Sequence, residues 1–183
     1  MQTATTLRLV TGATVTPFSL ETLAHGSVHV PSPGLTHLQF RRFAGCPICS
    51  LHLRDFAKRN AELVAANITT VAFFHSSAES LRRYHIDLPF PVVADPQRHY
   101  YQYFGIERSL RSVLHPRAVV AAMAGALRAP SNPLDSEGGR LGLPGEFLVN
   151  AHGVAVAVHY GKHADDAWSV DDVLALAGNP STR

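Results

Sequence analysis

The order of apolar segments predicts a single α/β domain over residues 1–183, with a central mixed sheet, helices on both faces, an N-terminal strand extension and a helical insertion at about 106–142. Three observations carry this expectation. Strand-like and helix-like runs alternate from Leu35 to His85, the pattern of a right-handed crossover between parallel strands. Two apolar runs at 146–150 and 154–160 are separated only by Ala151-His152-Gly153, the mark of a tight antiparallel hairpin. Finally, 183 residues with 46% hydrophobic content can bury a core of their own without staples.

Taken in order, residues 7–10, 15–20 and 28–30 are short extended pieces around Gly12 and before Pro31-Ser32-Pro33-Gly34, and they read as a hairpin or arm laid against a sheet edge. Residues 35–43 alternate, with Leu38, Phe40 and Arg42 on one side and His37, Gln39 and Arg41 on the other; this predicts a central strand, parallel to one at 69–75. Residues 47–66 read as the first long helix, with Leu53, Phe56, Ala57, Leu63 and Val64 as its apolar stripe. After the β-branched and aromatic run at 70–74, Ser76 and Glu79 offer a capping box for a helix to about His85. A short strand at 90–94 is held by Pro89 and Pro91, and Asp95-Pro96 opens a brief helix that Gly105 can end. Residues 106–142 carry an alanine-rich helix after Pro116, then a proline- and glycine-rich stretch, which reads as an inserted flap or interface element. Ser169 with Asp172 caps the last helix, which stops at Gly178.

The only two cysteines lie where the strand at 35–43 meets the helix at 47–66, in Phe40-Arg41-Arg42-Phe43-Ala44-Gly45-Cys46-Pro47-Ile48-Cys49. With Cys46 at the N-cap and Pro47 at the first helical position, Cys49 falls in the first turn and the two sulfurs face the same way. Unpaired amides and the positive end of the helix dipole favour thiolate there, and such sites lower a cysteine pKa from about 8.5 to roughly 3.5–7.5. The pattern is that of a redox-active disulfide, with Cys46 the more exposed attacker and Cys49 the resolving thiol. Arg42, on the face of Phe40, would turn its charge toward the thiolate; solvation of both Arg41 and Arg42 is the alternative. His52, one turn beyond Cys49, either tunes the thiolate or is simply half-buried. Zinc lacks a second ligand pair at a recognised spacing, and a three-residue loop gains little stability from a structural disulfide.

Composition narrows the partners. The formal charge is +2 with both signs interspersed, and neither Arg41-Arg42 nor Arg82-Arg83 makes a face for nucleic acid. Residues 1–8 show no leader and no later run approaches a membrane span, so the expectation is a cytoplasmic protein with no nucleic-acid or membrane partner, no cofactor and no metal. In that reducing compartment a lone disulfide is transient, which turns the pair toward catalysis or redox sensing. His159, Lys162 and His163 after the last strand read as a solvated loop.

These residues carry a resemblance. Over roughly residues 12–177 the chain resembles the thioredoxin-like superfamily and, within it, the alkyl hydroperoxide reductase/thiol-specific antioxidant (AhpC/TSA), peroxiredoxin-like group. Cys46-Pro47-Ile48-Cys49 matches the redox pair at the start of the family's first long helix. Phe90-Pro91-Val92-Val93-Ala94-Asp95-Pro96, with Tyr100, Tyr101 and Phe104-Gly105, is similar to the segment joining the two core halves. Gly142-Leu143-Pro144-Gly145-Glu146-Phe147-Leu148-Val149-Asn150 resembles the loop and strand bearing the superfamily's cis-proline, which implies a cis bond at Leu143-Pro144 that turns backbone groups toward the sulfurs. The pattern also departs from its templates. With Cys49 at the peroxidatic position, Cys46 replaces the usual threonine or serine and Arg42 the usual proline; against thioredoxin, Gly45 replaces a tryptophan.

The resemblance implies an antioxidant oxidoreductase with a thioredoxin-like fold. In one mechanism Cys46 attacks a disulfide and Cys49 resolves the adduct. In a peroxidase mechanism one cysteine is oxidised by a peroxide, with superposition favouring Cys49, and the other condenses with it. An external thiol reductant such as a thioredoxin-like protein would regenerate the pair, and a homodimer is compatible with the chain. A non-catalytic binding or redox-sensing scaffold is the third reading, favoured by a sealed pair of sulfurs.

Overall fold

In the computed structural model, residues 8–85, 87–106, 120, 122–124, 132, 139 and 141–179 are described. The chain runs β1 (Phe18–Glu21), β2 (Ser27–Val30), β3 (Leu35–Phe40), α1 (Pro47–Lys58), α2 (Asn60–Ala65), β4 (Ile68–Phe74), α3 (Ala78–His85), β5 (Val92–Ala94), α4 (His99–Tyr103), β6 (Gly145–Val149), β7 (Ala155–Tyr160) and α5 (Val170–Ala177). Five strands form the main sheet in the order β5-β4-β3-β6-β7, which puts β3 at its centre. β3 and β4 pair in parallel from Leu35↔Ile68 to Phe40↔Phe73, β5 continues the parallel side, and β6 and β7 add antiparallel strands on the other. The expected mixed sheet and hairpin are both present; Gly153, at φ 80°, takes the left-handed position of the turn after Asn150.

Alternation along the strands divides the core in two. On one face Leu53, Phe56, Leu63, Leu81, Leu148 and Val173 pack α1, α2, α3 and α5 against the sheet, and both cysteines belong to this layer. On the other face Leu38, Phe40, Phe73, Tyr101, Phe104 and Phe147 pack α4 and the small β1–β2 sheet. The N-terminal arm runs further than an edge addition. Its Gly12 and Val15 amides bond Ala155 and Gly153 beside β7, while the Leu23 amide bonds Val92 on β5, so the arm spans the sheet and buries Val15, Leu20 and Val30 beneath it.

Several local expectations change. The helix over 47–66 is broken at Arg59, whose guanidinium is held by Glu62 at 2.7 Å and by Asp171 of α5 at 2.8 Å. The cap of α3 sits one residue later than expected: Ser77 Oγ accepts the Ser80 amide, and Ser76 Oγ accepts the amide of Ala44 instead. Leu143–Pro144 is trans, and the cis bond among the described residues is Val30–Pro31. The trans chain lets the Pro144 carbonyl accept the Gly161 amide at 2.9 Å, one further link between the strands of the β6–β7 hairpin. Most of the 106–142 insertion lies outside the described residues; Val120 and residues 122–124 are helical. No described helix is long and apolar enough to cross a membrane.

Candidate active site

The site is built where β3 runs out. Beyond the last β3–β4 pair the Arg41 amide still bonds Phe73 O at 2.8 Å, and then the Cys46 amide closes a turn onto Phe43 O. That turn presents Cys46 as the N-cap of α1, with φ −69° and ψ 115°, and Pro47 occupies the first turn where no amide is needed. The Cys46 sulfur takes the role that a serine oxygen has in an ordinary cap: it accepts the Cys49 amide at 3.4 Å and the Cys49 thiol at 2.8 Å. Arg42, two residues past the end of β3, turns toward the pair, its Nη1 3.8 Å from Cys46 Sγ and its guanidinium over the Phe43 ring.

These contacts make the thiols unequal. Burial pushes the Cys46 thiol up, but the hydrogen bond from the Cys49 thiol, the Arg42 charge and the amides of Cys49 and Ile48 outweigh it and bring its pKa down to about 7. Cys49 goes the other way. Burial, the proton it shares with Cys46 and the charge on Cys46 hold its thiol well above the usual range, against the smaller pull of Arg42. Cys46 is therefore the thiol that ionises first, around neutral pH, and Cys49 the neighbour that keeps its proton.

Both sulfurs are covered, Cys46 at 0% and Cys49 at 3% exposure, so the expectation that Cys46 stands open is corrected. Asn132 lies against the residue before Cys46. Its amide bonds Gly45 O at 3.1 Å, and its carbonyl lies 2.5 Å from where a Cβ on residue 45 would stand. Glycine rather than a bulky aromatic precedes Cys46 because this backbone lies on it. On another side, Gly142 brings the loop before β6 against His75 and Arg42: a Cβ there would stand 2.9 Å from His75 Nε2 and 3.8 Å from Arg42 Cγ.

The remaining expected residues have partners of their own. His52 bonds Asp165 at 3.0 Å and lines a groove between α1 and α5, tying α1 to the loop after β7 instead of serving the sulfurs. Pro144 packs its ring on Gly161. His159 bonds Asp166, which also accepts the Lys162 amide, so this loop is organised around one carboxylate and is more than a solvated excursion. Three groups near the dithiol turn were not read from the sequence as site residues: Tyr101, whose hydroxyl bonds Arg41 O; His85, whose Nε2 bonds Ala44 O; and Ser76, whose Oγ accepts the Ala44 amide. Among the described residues no three His, Cys, Asp or Glu side chains gather as a metal site.

A mixed sheet of this order, with a dithiol at the start of the helix after its central strand, defines a thioredoxin-fold thiol redox protein. Residues 55–163 match the AhpC/TSA antioxidant enzyme family, more than half of the chain, and the protein belongs to that family. The match begins after Cys49, so the dithiol itself is assigned by geometry. Similar solved structures include the peroxidoxin BcpB from Mycobacterium tuberculosis, at 18% identity and TM-score 0.65 over 91% of this chain and 95% of that one. The reduced 2-Cys peroxiredoxin from Plasmodium vivax gives 12% identity and TM-score 0.65 over 91% and 79% of the two chains. At these identities the likeness is one of fold. No curated protein matches. The chain is thus a thiol-dependent redox enzyme of the antioxidant class with a thioredoxin-like fold.

Proposed function

We propose that the enzyme reduces hydroperoxides with Cys46 as nucleophile and Cys49 as resolving thiol. The observation that carries this is the inequality of the two thiols: at the N-cap beside Arg42, Cys46 is held near pKa 7 while Cys49 keeps its proton. This assigns the attack to Cys46, not to Cys49 as superposition on the family's usual pattern implied. The Cys46 thiolate attacks one peroxide oxygen; the O–O bond breaks, the alkoxide takes a proton and leaves as alcohol, and Cys46 becomes a sulfenic acid. Cys49 sulfur then attacks Cys46 sulfur, the S–S bond forms, and the sulfenic hydroxyl leaves with the Cys49 proton as water. Two equivalents of an external thiol, or one dithiol protein of the thioredoxin type, restore the pair.

Burial of both sulfurs taken alone favours the binding or redox-sensing scaffold; within the enzyme class it favours a small peroxide over a folded protein's disulfide as oxidant. A reducing, cytoplasmic setting suits a pair that must return to the dithiol after each turnover. The test is stopped mixing of reduced Cys46→Ser and Cys49→Ser with hydrogen peroxide, an organic hydroperoxide and a small disulfide. Cys46→Ser should lose reaction with every oxidant, whereas Cys49→Ser should react once and hold a sulfenic acid or mixed disulfide on Cys46. Loss of peroxide consumption in the Cys49→Ser protein, with Cys46→Ser still reacting, would reverse the assignment. A faster reaction with the disulfide than with either peroxide would make disulfide exchange the activity.

A further inference from the structure

Because β3 and β4 run in parallel, their C-terminal ends reach the same edge of the sheet and the two chains leave it side by side. Contact continues past both strands: the His75 amide bonds Arg42 O at 3.3 Å, and Ser76 Oγ then accepts the amide of Ala44 at 3.0 Å. At the other end of the same residue, His85 Nε2 donates to Ala44 O at 2.8 Å. Ala44, Ser76 and His85 are all buried, so losing either partner leaves a peptide group unpaired away from water. The two bonds hold both peptides of Ala44 in a four-residue turn, Phe43 to Cys46, which the Cys46 amide closes onto Phe43 O at 3.1 Å. The Ala44 N–H and the Phe43 carbonyl belong to one planar peptide, so the acceptor on Ser76 polarises the carbonyl that receives the Cys46 amide. We propose that Ser76 is a positioning residue for the attack by Cys46: with His85 it fixes the turn that aims the Cys46 sulfur at the first turn of α1 and at Arg42.

The sulfur has little latitude. It lies 2.8 Å from Cys49 Sγ, 3.4 Å from Cys49 N and 3.8 Å from Arg42 Nη1, and one atom must keep all three contacts at once. Hydrogen bonds weaken steeply as their angles degrade, so a small rotation of the turn costs the sulfur its partners. The local sequence also frees Ser76 for this duty. Its spacing from Glu79 suits a cap on α3, yet Ser77 Oγ accepts the Ser80 amide there, which leaves the Ser76 oxygen to the turn. The proposal rests on Cys46 being the attacking thiol. In that step the Cys46 sulfur bonds one peroxide oxygen, the O–O bond breaks, Cys46 becomes a sulfenic acid, and the released alkoxide takes a proton and leaves as alcohol.

Mass-resolved alkylation of Cys46 by iodoacetamide reads the placement of its sulfur without any oxidant. Ser76→Ala should displace the pH profile of this reaction upward and slow it at fixed pH by about three- to tenfold, the effect of losing one buried hydrogen bond. The first reaction with hydrogen peroxide should slow to a similar extent. Ser76→Thr keeps the oxygen and should hold the native profile. His85→Leu removes the donor to Ala44 O and should displace the profile in the same direction, and it decides the matter if Ser76→Ala does not fold. Leu81→Ala is the control, because it empties core space beneath α3 and leaves both bonds to Ala44 in place. An unmoved Cys46 profile in Ser76→Ala, or in His85→Leu where that variant stands in, overturns the proposal, and so does an equal displacement in Leu81→Ala or in Ser76→Thr. A native enzyme that alkylates at Cys46 but consumes no peroxide sinks the peroxidase reading instead, and the Cys46 profile still decides the role of Ser76.

Discussion

At the scale of single residues the site depends on one charge set against complete burial. Removing Arg42 takes away the cation 3.8 Å from Cys46 and leaves the desolvation in place. Arg42→Met should therefore raise the midpoint of Cys46 alkylation from about 7 by roughly one pH unit, and Arg42→Lys by less; mass-resolved alkylation rates from pH 5 to 9 read this directly. An unmoved midpoint in Arg42→Met would mean that the helix end and the Cys49 proton suffice. This part of the site was legible in the sequence because it is local. Cap geometry follows from Cys46-Pro47 and the pairing of sulfurs from the three-residue spacing; the turn of Arg42 toward Cys46 does not follow from strand parity, because β3 ends at Phe40 and its Phe40 face lies opposite the layer that holds the cysteines. What could not be read depends on segments far along the chain. His52 is claimed by Asp165, 113 positions away, Pro144 is claimed by Gly161, and the glycine before Cys46 makes sense only once Asn132 is seen lying on it.

At the scale of elements, alternation along β3 gives the sidedness of its residues but not their burial. His37, Gln39 and Arg41 occupy one side, as read from the sequence, yet that side faces α1 and not solvent. They are accommodated because β6 delivers Glu146 opposite Gln39: its carboxylate meets His37 Nε2 at 3.0 Å and Arg41 Nη2 at 3.1 Å, while Arg41 also bonds Gln39. Burial pushes the Glu146 carboxyl up, and the Arg41 charge with the His37 hydrogen bond brings it back below the usual range. This cluster packs on Phe56 of α1, with the His37 ring stacked on it at 5.3 Å, so the helix that carries the cysteines rests on a buried ion pair. Glu146→Gln leaves the Arg41 guanidinium buried without its counter-charge and should cost about 3–5 kcal/mol, measured by urea unfolding at pH 7.5. A loss below about 1 kcal/mol would show that water or a shifted side chain satisfies Arg41, since a buried cation is kept only where it is paired or hydrogen-bonded.

At the scale of the whole molecule, acid should weaken the fold well before its carboxylates titrate, and the group responsible is His85 at the end of α3. Its ring is stacked on Phe74 at 4.7 Å and its Nε2 bonds the Ala44 carbonyl at 2.8 Å, which ties α3 to the turn that leads into Cys46. Burial lowers its pKa from the ordinary 6.5 to about 4, the hydrogen bond to Ala44 opposing only part of the shift. Between those values the unfolded chain binds a proton that the folded chain refuses, so stability rises with pH across this window and falls as pH drops through it. The full shift corresponds to about 3 kcal/mol, of which about 2 kcal/mol should disappear between pH 7.5 and pH 5.0. Glu146, Asp166 and Asp172, all held below their usual range, extend the loss at lower pH, because each stabilises the fold only while ionised. His85→Gln removes the titration while offering an amide N–H to Ala44 in its place. The difference in urea-unfolding free energy between pH 7.5 and 5.0 should therefore shrink by about 2 kcal/mol in that variant relative to the native protein. Equal pH dependence in the two proteins would show that His85 does not govern the acid limb, and that the tie between α3 and the dithiol turn opens without a protonation step.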